Sequence, residues 1–214
     1  MPRLLLATNN AGKMAELRPL LHGCGWDLVT PADIGLDFGV EETGKTYEEN
    51  ARTKAEAAAR ASGLVALADD SGLEVEALGA EPGVRSARFL GEDATYEQRF
   101  AEIQQRLLGT ANRAARFVSV IAIYDPANHQ VWTFEGEVRG LIANKPQGSG
   151  GFGYDPIFWL PQHSATMAEI PEDHKSIISH RARAVASARQ QLKELLHDHQ
   201  GNCRSYYVIP GEDR

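Results

Sequence analysis

Apolar and polar positions change period several times along the chain, and each change marks an element. Residues 3–8, RLLLAT, run almost wholly apolar and predict a short buried strand, with NNAGK as the turn that leaves it. In MAELRPLLHGCG, Leu17, Leu20 and Leu21 have helical spacing, and the glycines around Cys24 stop the run. WDLVT predicts a second strand. Residues 47–62, YEENARTKAEAAARAS, combine the strongest helix former with charges spread around the axis, and Gly63 ends them. LVALAD predicts a third strand that gives out at Asp69 and Asp70. TYEQRFAEIQQRLLG opens on a Thr cap with Glu97 close behind, a further helix. RAARFVSVIAIYD and QVWTFEGEVRGLI are β-rich runs joined by PANH, a hairpin within an extended sheet. KPQGSGGFGYDPIF is a glycine-rich loop, and SHRARAVASARQQLKELLHD is the closing helix. Strands alternate with helices before the hairpin intervenes, so the class is α/β with a mixed sheet.

Composition narrows the class without changing it. With 214 residues, 43% of them hydrophobic and 24% charged, the chain suits one large domain or two lobes around a cleft. The net charge of −7 argues against sequence-blind binding to nucleic acid, which needs a basic surface. An anionic small molecule stays open, because a metal ion or a few local Lys and Arg reverse the sign of one cleft. Cys24 and Cys203, with no CxxC, argue against a disulfide framework and a Cys-built zinc site and fit a reducing, cytoplasmic setting. MPRLLLATNN is too short an apolar run for a signal peptide, and nothing approaches the ~20 residues of a membrane span.

Five stretches carry candidate chemistry, each beside a plainer reading. In TNNAGK, residues 8–13, backbone N–H groups and the Lys13 ammonium converge at a helix start, the logic of a phosphate cradle. It is not a Walker A loop, and an ordinary strand-to-helix turn also fits. Glu41, Glu42, Glu48 and Glu49 suit either a solvated helix entry or oxygen ligation of a hard cation such as Mg²⁺. Asp69 and Asp70 could divide labour at a strand end, one binding Mg²⁺ and one deprotonating water, with a cation between them relieving their repulsion. An Asx-turn explains the same pair without metal. In GSGGFGYDPIF, Phe152 or Tyr154 could stack on a base, or simply pack a hairpin tip. Lys175, His180 and Arg181 offer three cations at a helix start, or decorate a surface.

Together these stretches call for a polyphosphate, a metal and a planar base in one cleft. The ordered blocks ATNNAGK, EETGKTYEENARTKA, ADDSGLEVEALGAEPGVRSARF, GGFGYDPIF and HKSIISHRARA resemble the inosine-triphosphate pyrophosphatase family, in its bacterial form the dITP/XTP pyrophosphatases, from about residue 4 to 196. The resemblance implies an elongated mixed sheet in two lobes flanked by helices, with the active-site cleft between the lobes, and a homodimer. It implies Mg²⁺-dependent hydrolysis of ITP, dITP or XTP between the α and β phosphates. Residue by residue, it places Thr8, Asn9, Asn10, Ala11, Gly12 and Lys13 along the triphosphate, with Lys54 as a second phosphate cation. Asp70 becomes the water-activating base and a metal ligand, supported by Asp69, with Ser71 touching substrate. Glu42 or Glu41 completes the magnesium site. Phe152, Gly153, Tyr154 and Asp155 hold base and sugar, and Lys175, His180 and Arg181 close over the purine. Residues 1–200 then form a single domain of two lobes, and residues 201–214 lie outside the family pattern as a draped or frayed tail. Asn9 stands where many members carry Gly. The alternative is a non-catalytic nucleotide-binding or sensor module, which gains little from adjacent anions beside phosphates.

Overall fold

The computed structural model describes residues 1–37 and 39–202. Its strands are β1 (Arg3–Leu6), β2 (Asp27–Val29), β3 (Val65–Val75), β4 (Glu81–Pro82), β5 (Ala114–Asp125), β6 (Gln130–Ile142), β7 (Phe158–Leu160) and β8 (Ala165–Thr166). Its α-helices are α1 (Ala11–Leu20), α2 (Tyr47–Ser62), α3 (Tyr96–Arg106), α4 (Glu172–Ile178) and α5 (His180–Asn202). One mixed sheet runs in the order β2-β1-β3-β5-β6-β7-β8, with β4 paired to β3. β1 is parallel to both β2 and β3, and every other pairing is antiparallel.

Three apolar clusters hold helices to this sheet. On one face Leu4, Leu6, Leu67 and Ile121 meet Leu17 of α1 and Ala184, Val185 and Leu192 of α5. On the other, Ala51, Ala55, Ala58 and Ala59 of α2 lie against Ala66, Ala68, Val118 and Ala122. Small side chains on both surfaces bring that helix close to the sheet. The third cluster joins Leu73, Val75, Phe117 and Phe158 to Phe100 and Ile103 of α3. β3 and β5 contribute to all three, so the sheet is continuous from end to end.

The helix boundaries follow local chemistry. Thr46 and Glu49 form a reciprocal capping box at the start of α2, and Gly63 closes it with φ of 70°. At α3, Thr95 pairs with Gln98 rather than Glu97. α1 starts earlier than the leucine spacing predicts, because the Asn10 side chain caps it by accepting from the Lys13 N–H. The expected end of the third strand at Asp69 is also corrected. β3 continues to Val75, since β5 supplies backbone partners along its whole length, including Ile121 opposite Asp69 and Val120 opposite Asp70. The short strands β4, β7 and β8 and helix α4 carry no pattern long enough to be predicted. α5 runs on through Asn202, and the remainder of the expected tail, from Cys203, lies outside the described residues. No helix among the described residues is long and apolar enough to cross a membrane.

Candidate active site

A cleft of about 320 Å³ opens where β1 ends and α1 begins. Thr8 Oγ1 accepts from the Asn10 N–H at 3.1 Å, and Asn10 Oδ1 accepts from the Lys13 N–H at 3.0 Å. These bonds fix the turn and leave the first N–H groups of α1, the positive end of its dipole, beside the cleft. Asn9, Asn10 and Ala11 are exposed there. Lys13 reaches across to Asp69, 2.8 Å from Oδ2 and 3.2 Å from the backbone oxygen. Gly12 is needed for close approach: a Cβ there would lie 2.6 to 2.9 Å from carbons of the Phe152 ring. The first and fourth candidate stretches are thereby brought into contact.

The adjacent acids take different hydrogen-bond partners. Successive side chains of a strand point to opposite faces, and β3 sends Asp69 toward α5 and Asp70 toward α2. Asp69 is 1% exposed and accepts from Lys13, Ser119 Oγ at 2.5 Å and the Arg181 guanidinium at 3.2 and 3.3 Å. Burial alone would push its carboxyl up, but Arg181 and Lys13 outweigh burial and hold it well below the usual range. Asp70 accepts from Asn50 Nδ2 at 3.1 Å and from Lys54 Nζ at 3.2 Å. Here burial wins over Lys54 and Lys13, and the carboxyl sits above its ordinary value. Sheet geometry points the two carboxylates to opposite faces and so limits their repulsion.

The structure separates Glu41 from Glu42. Glu41 is exposed, whereas Glu42 lines the cleft. Lys54 Nζ lies 2.7 Å from Glu42 Oε1, and Arg88 Nη1 lies 3.1 Å from Glu42 Oε2. Burial raises the Glu42 carboxyl, yet Lys54, Lys13 and Arg88 bring it below its ordinary value. Lys54 therefore stands as a cation between Glu42 and Asp70, marking a point where two carboxylates already converge on positive charge. Among the described residues no three or more His, Cys, Asp or Glu side chains cluster as a metal cage. Two carboxylates with substrate oxygens as the remaining ligands are the donor set Mg²⁺ favours, so the residues fit it. The acids at Glu48 and Glu49 belong to the first turn of α2, where Glu49 caps and Glu48 pairs with Arg52.

Along the same cleft a buried ionic cluster supports one aromatic ring. Phe152 is half-buried, with Lys175 Nζ 5.5 Å and the Arg181 guanidinium 5.6 Å from its centroid. Asp155 accepts from the Phe152 N–H at 2.9 Å and from Lys175 Nζ at 2.6 Å, so it holds the loop of residues 152–155 in place. Burial pushes Asp155 up despite Lys175. Lys175 also lies 2.6 Å from Glu16, which pairs in turn with Arg181. Arg181 is 1% exposed and donates to Ser71 Oγ as well, so most of its N–H groups are committed within the protein. It lines the cleft beside Phe152 while these bonds hold it in place. Tyr154 is buried edge-on against Tyr96 and donates to the Ser86 carbonyl at 2.9 Å, which leaves Phe152, of the two rings, to stack. His180 stacks on Phe117 and its Nδ1 is buried without a partner. Burial first, and Arg181 next, keep its pKa well below the ordinary imidazole value, so the ring is neutral.

Four residues of this site escape the sequence reading: Glu16, Asn50, Arg88 and Ser119. Glu16 follows Lys13 by one helical turn beside the leucine stripe of α1, and Asn50 precedes Lys54 by one turn of α2, so periodicity carries a signal for both. Arg88 falls within the block ADDSGLEVEALGAEPGVRSARF but no charge pattern or period there marks it, and Ser119 belongs to no local pattern.

Comparisons with known proteins identify the chain's family. A family model described as the Ham1 family matches residues 4–191. A dITP/XTP pyrophosphatase of Geobacter sulfurreducens is 45% identical over 194 residues, which are 90% of this chain and 97% of the relative. A dITP/XTP pyrophosphatase of Gloeobacter violaceus is 50% identical over 182 residues, 85% of this chain and 90% of the relative. The solved HAM1 protein of Coxiella burnetii superposes with a TM-score of 0.83 at 39% identity, covering 91% of this chain and 100% of that one. The matched span contains the whole cleft, from Thr8 to Arg181, and ends within α5. Shared sequence and shared architecture lead to one assignment: this chain belongs to the Ham1 family.

Proposed function

We propose that this chain is a dITP/XTP pyrophosphatase, hydrolysing deaminated purine nucleoside triphosphates between the α and β phosphates to the monophosphate and pyrophosphate. The observation that carries the reading is one cleft lined by Lys13, Lys54, Asp70 and Glu42 together with the Phe152 ring. The names of its relatives support the substrate class. A magnesium ion held by Asp70 and Glu42 would neutralise charge on the phosphate oxygens. Lys13, Lys54 and the N-terminus of α1 bind the triphosphate and offset charge moving onto the leaving pyrophosphate. Asp70, raised by burial, takes the proton of the water whose oxygen attacks phosphorus as the phosphoanhydride bond breaks. Asp69 is a positioning group, orienting Lys13 and Arg181.

Base selection follows from donor matching. Hypoxanthine and xanthine present a carbonyl at position 6, where adenine presents an amino group. In neutral His180 a bare Nδ1 is the less costly buried state, which puts the proton on Nε2 as a donor suited to that carbonyl. A site built on matched hydrogen bonds discriminates by a factor on the order of 10⁴. The proposal includes a homodimer in the cytoplasm, supported by the family resemblance, and light scattering on the purified protein tests the assembly.

Pyrophosphate release from a panel of dITP, XTP, dATP and dGTP, with and without EDTA, tests the function. Release from dITP and XTP that EDTA abolishes and Mg²⁺ restores is expected; equal release from dATP, or release indifferent to EDTA, contradicts the reading. Gly12→Ala provides an independent check on stacking. The added methyl displaces the Phe152 ring, so KM should rise about tenfold, the loss of roughly 1.4 kcal/mol of base stacking. Helix propensity favours the substitution, so the Tm should hold. An unchanged KM would move the base away from Phe152.

A further inference from the structure

We propose that Arg88 is a positioning residue of the cation site, holding Glu42 by one carboxylate oxygen and the backbone carbonyl so that the other oxygen is free to pass from Lys54 to a divalent ion. The inference rests on the function proposed above and extends it to a residue outside the candidate set. Glu42 lies in residues 39–44, which form neither helix nor strand, so its carboxylate has no regular backbone to aim it. Arg88 supplies the missing rigidity. Its Nη2 donates to the Glu42 carbonyl at 2.8 Å and its Nη1 to Oε2 at 3.1 Å, a planar fork spanning main chain and side chain. Arg88 closes a short 3-10 segment, Gly83–Arg88, that is fastened to β3 where Ser86 Oγ accepts from the Leu73 N–H at 2.9 Å. Glu42 is thereby referenced to the strand that carries Asp70.

The two cations on Glu42 then differ in kind. Lys54 spans Glu42 Oε1 and Asp70 Oδ1, on the two carboxylates that would hold a dication, and it also donates to the Asp69 carbonyl at 2.8 Å. An ammonium and a dication repel at that separation. When metal and nucleotide arrive together, Lys54 keeps its carbonyl anchor and turns its remaining donors to phosphate. Arg88 stays, and without it Glu42 would lose its aim when Lys54 leaves.

The test compares the wild type with Arg88→Met and Arg88→Lys by two readouts. One is Mn²⁺ binding followed by EPR in the presence of the non-hydrolysable α,β-methylene analogue of dITP. The other is the Mg²⁺ dependence of pyrophosphate release. In Arg88→Met both metal constants should rise about 10- to 100-fold, the usual effect of removing a group behind a metal ligand, while kcat at saturating Mg²⁺ falls only about threefold. Arg88→Lys, which keeps charge but makes one contact, should fall between, and it carries the test if the Met variant does not fold. Metal constants within about twofold of wild type, or a loss confined to kcat, overturn the proposal. Failure of the function reading looks different: the wild type itself then releases no pyrophosphate from dITP.

Discussion

Asp70→Asn should lower turnover of dITP by at least a hundredfold, the lower end of what a general base contributes, while the Kd for a non-hydrolysable analogue changes little. The amide is isosteric and keeps an oxygen for Lys54, but it cannot take a proton from water. Lys13, Lys54, the α1 N-terminus and Phe152 stay in place to bind the nucleotide, and the Asn oxygen and Glu42 remain as metal donors. The pH profile adds a second signature: an acid limb of kcat that wild-type Asp70 imposes should be missing from the residual activity of the Asn variant. A variant retaining more than about a tenth of wild-type turnover would place the base elsewhere.

Much of this arrangement is legible in the chain, and the limits have physical causes. Alanine content and a Thr–Glu cap give α2, and with it the helical turn that sets Asn50 and Lys54 on one face. The uninterrupted leucines of β1 announce a strand buried on both sides. Hydropathy misplaces the end of β3, because a ladder of backbone hydrogen bonds with β5 is indifferent to two charged side chains once each finds a partner. Those partners, Arg181 for Asp69 and Lys54 for Asp70, lie 112 and 16 residues away in sequence. No local window contains both. The same holds for Glu42 and Arg88, 46 residues apart. Most residues that the motif resemblance names line one cleft, and two of them, Arg181 and Asp155, are also bonded to other residues of the protein there. Chemistry-bearing residue types are recognisable one at a time; which of them touch substrate and which support those that do depends on tertiary contacts.

The neighbouring acid gives the sharpest contrast. Asp69→Asn should destabilise the protein by about 3–5 kcal/mol, the range for breaking a buried ion pair from one side. The Arg181 side chain, 1% exposed, and Lys13 would then face an amide, and Glu16 alone would balance Arg181. For a chain of this length that is a fall in Tm of roughly 6–20 °C. The pH dependence has a definite sign. A carboxyl held well below 3.8 in the fold contributes its stability fully above the unfolded value and loses it as pH falls toward the folded one. The gap between wild type and Asp69→Asn should therefore be widest at neutral pH and narrow below about pH 4. Asp70→Asn should behave in the opposite way. Its carboxyl is raised, so the fold is already working against the ionised form, and a neutral isostere should hold or raise the Tm. Thermal melts of the two variants across pH decide the matter: similar losses from both would mean that the two faces of β3 do not divide the acids into a structural and a reactive one.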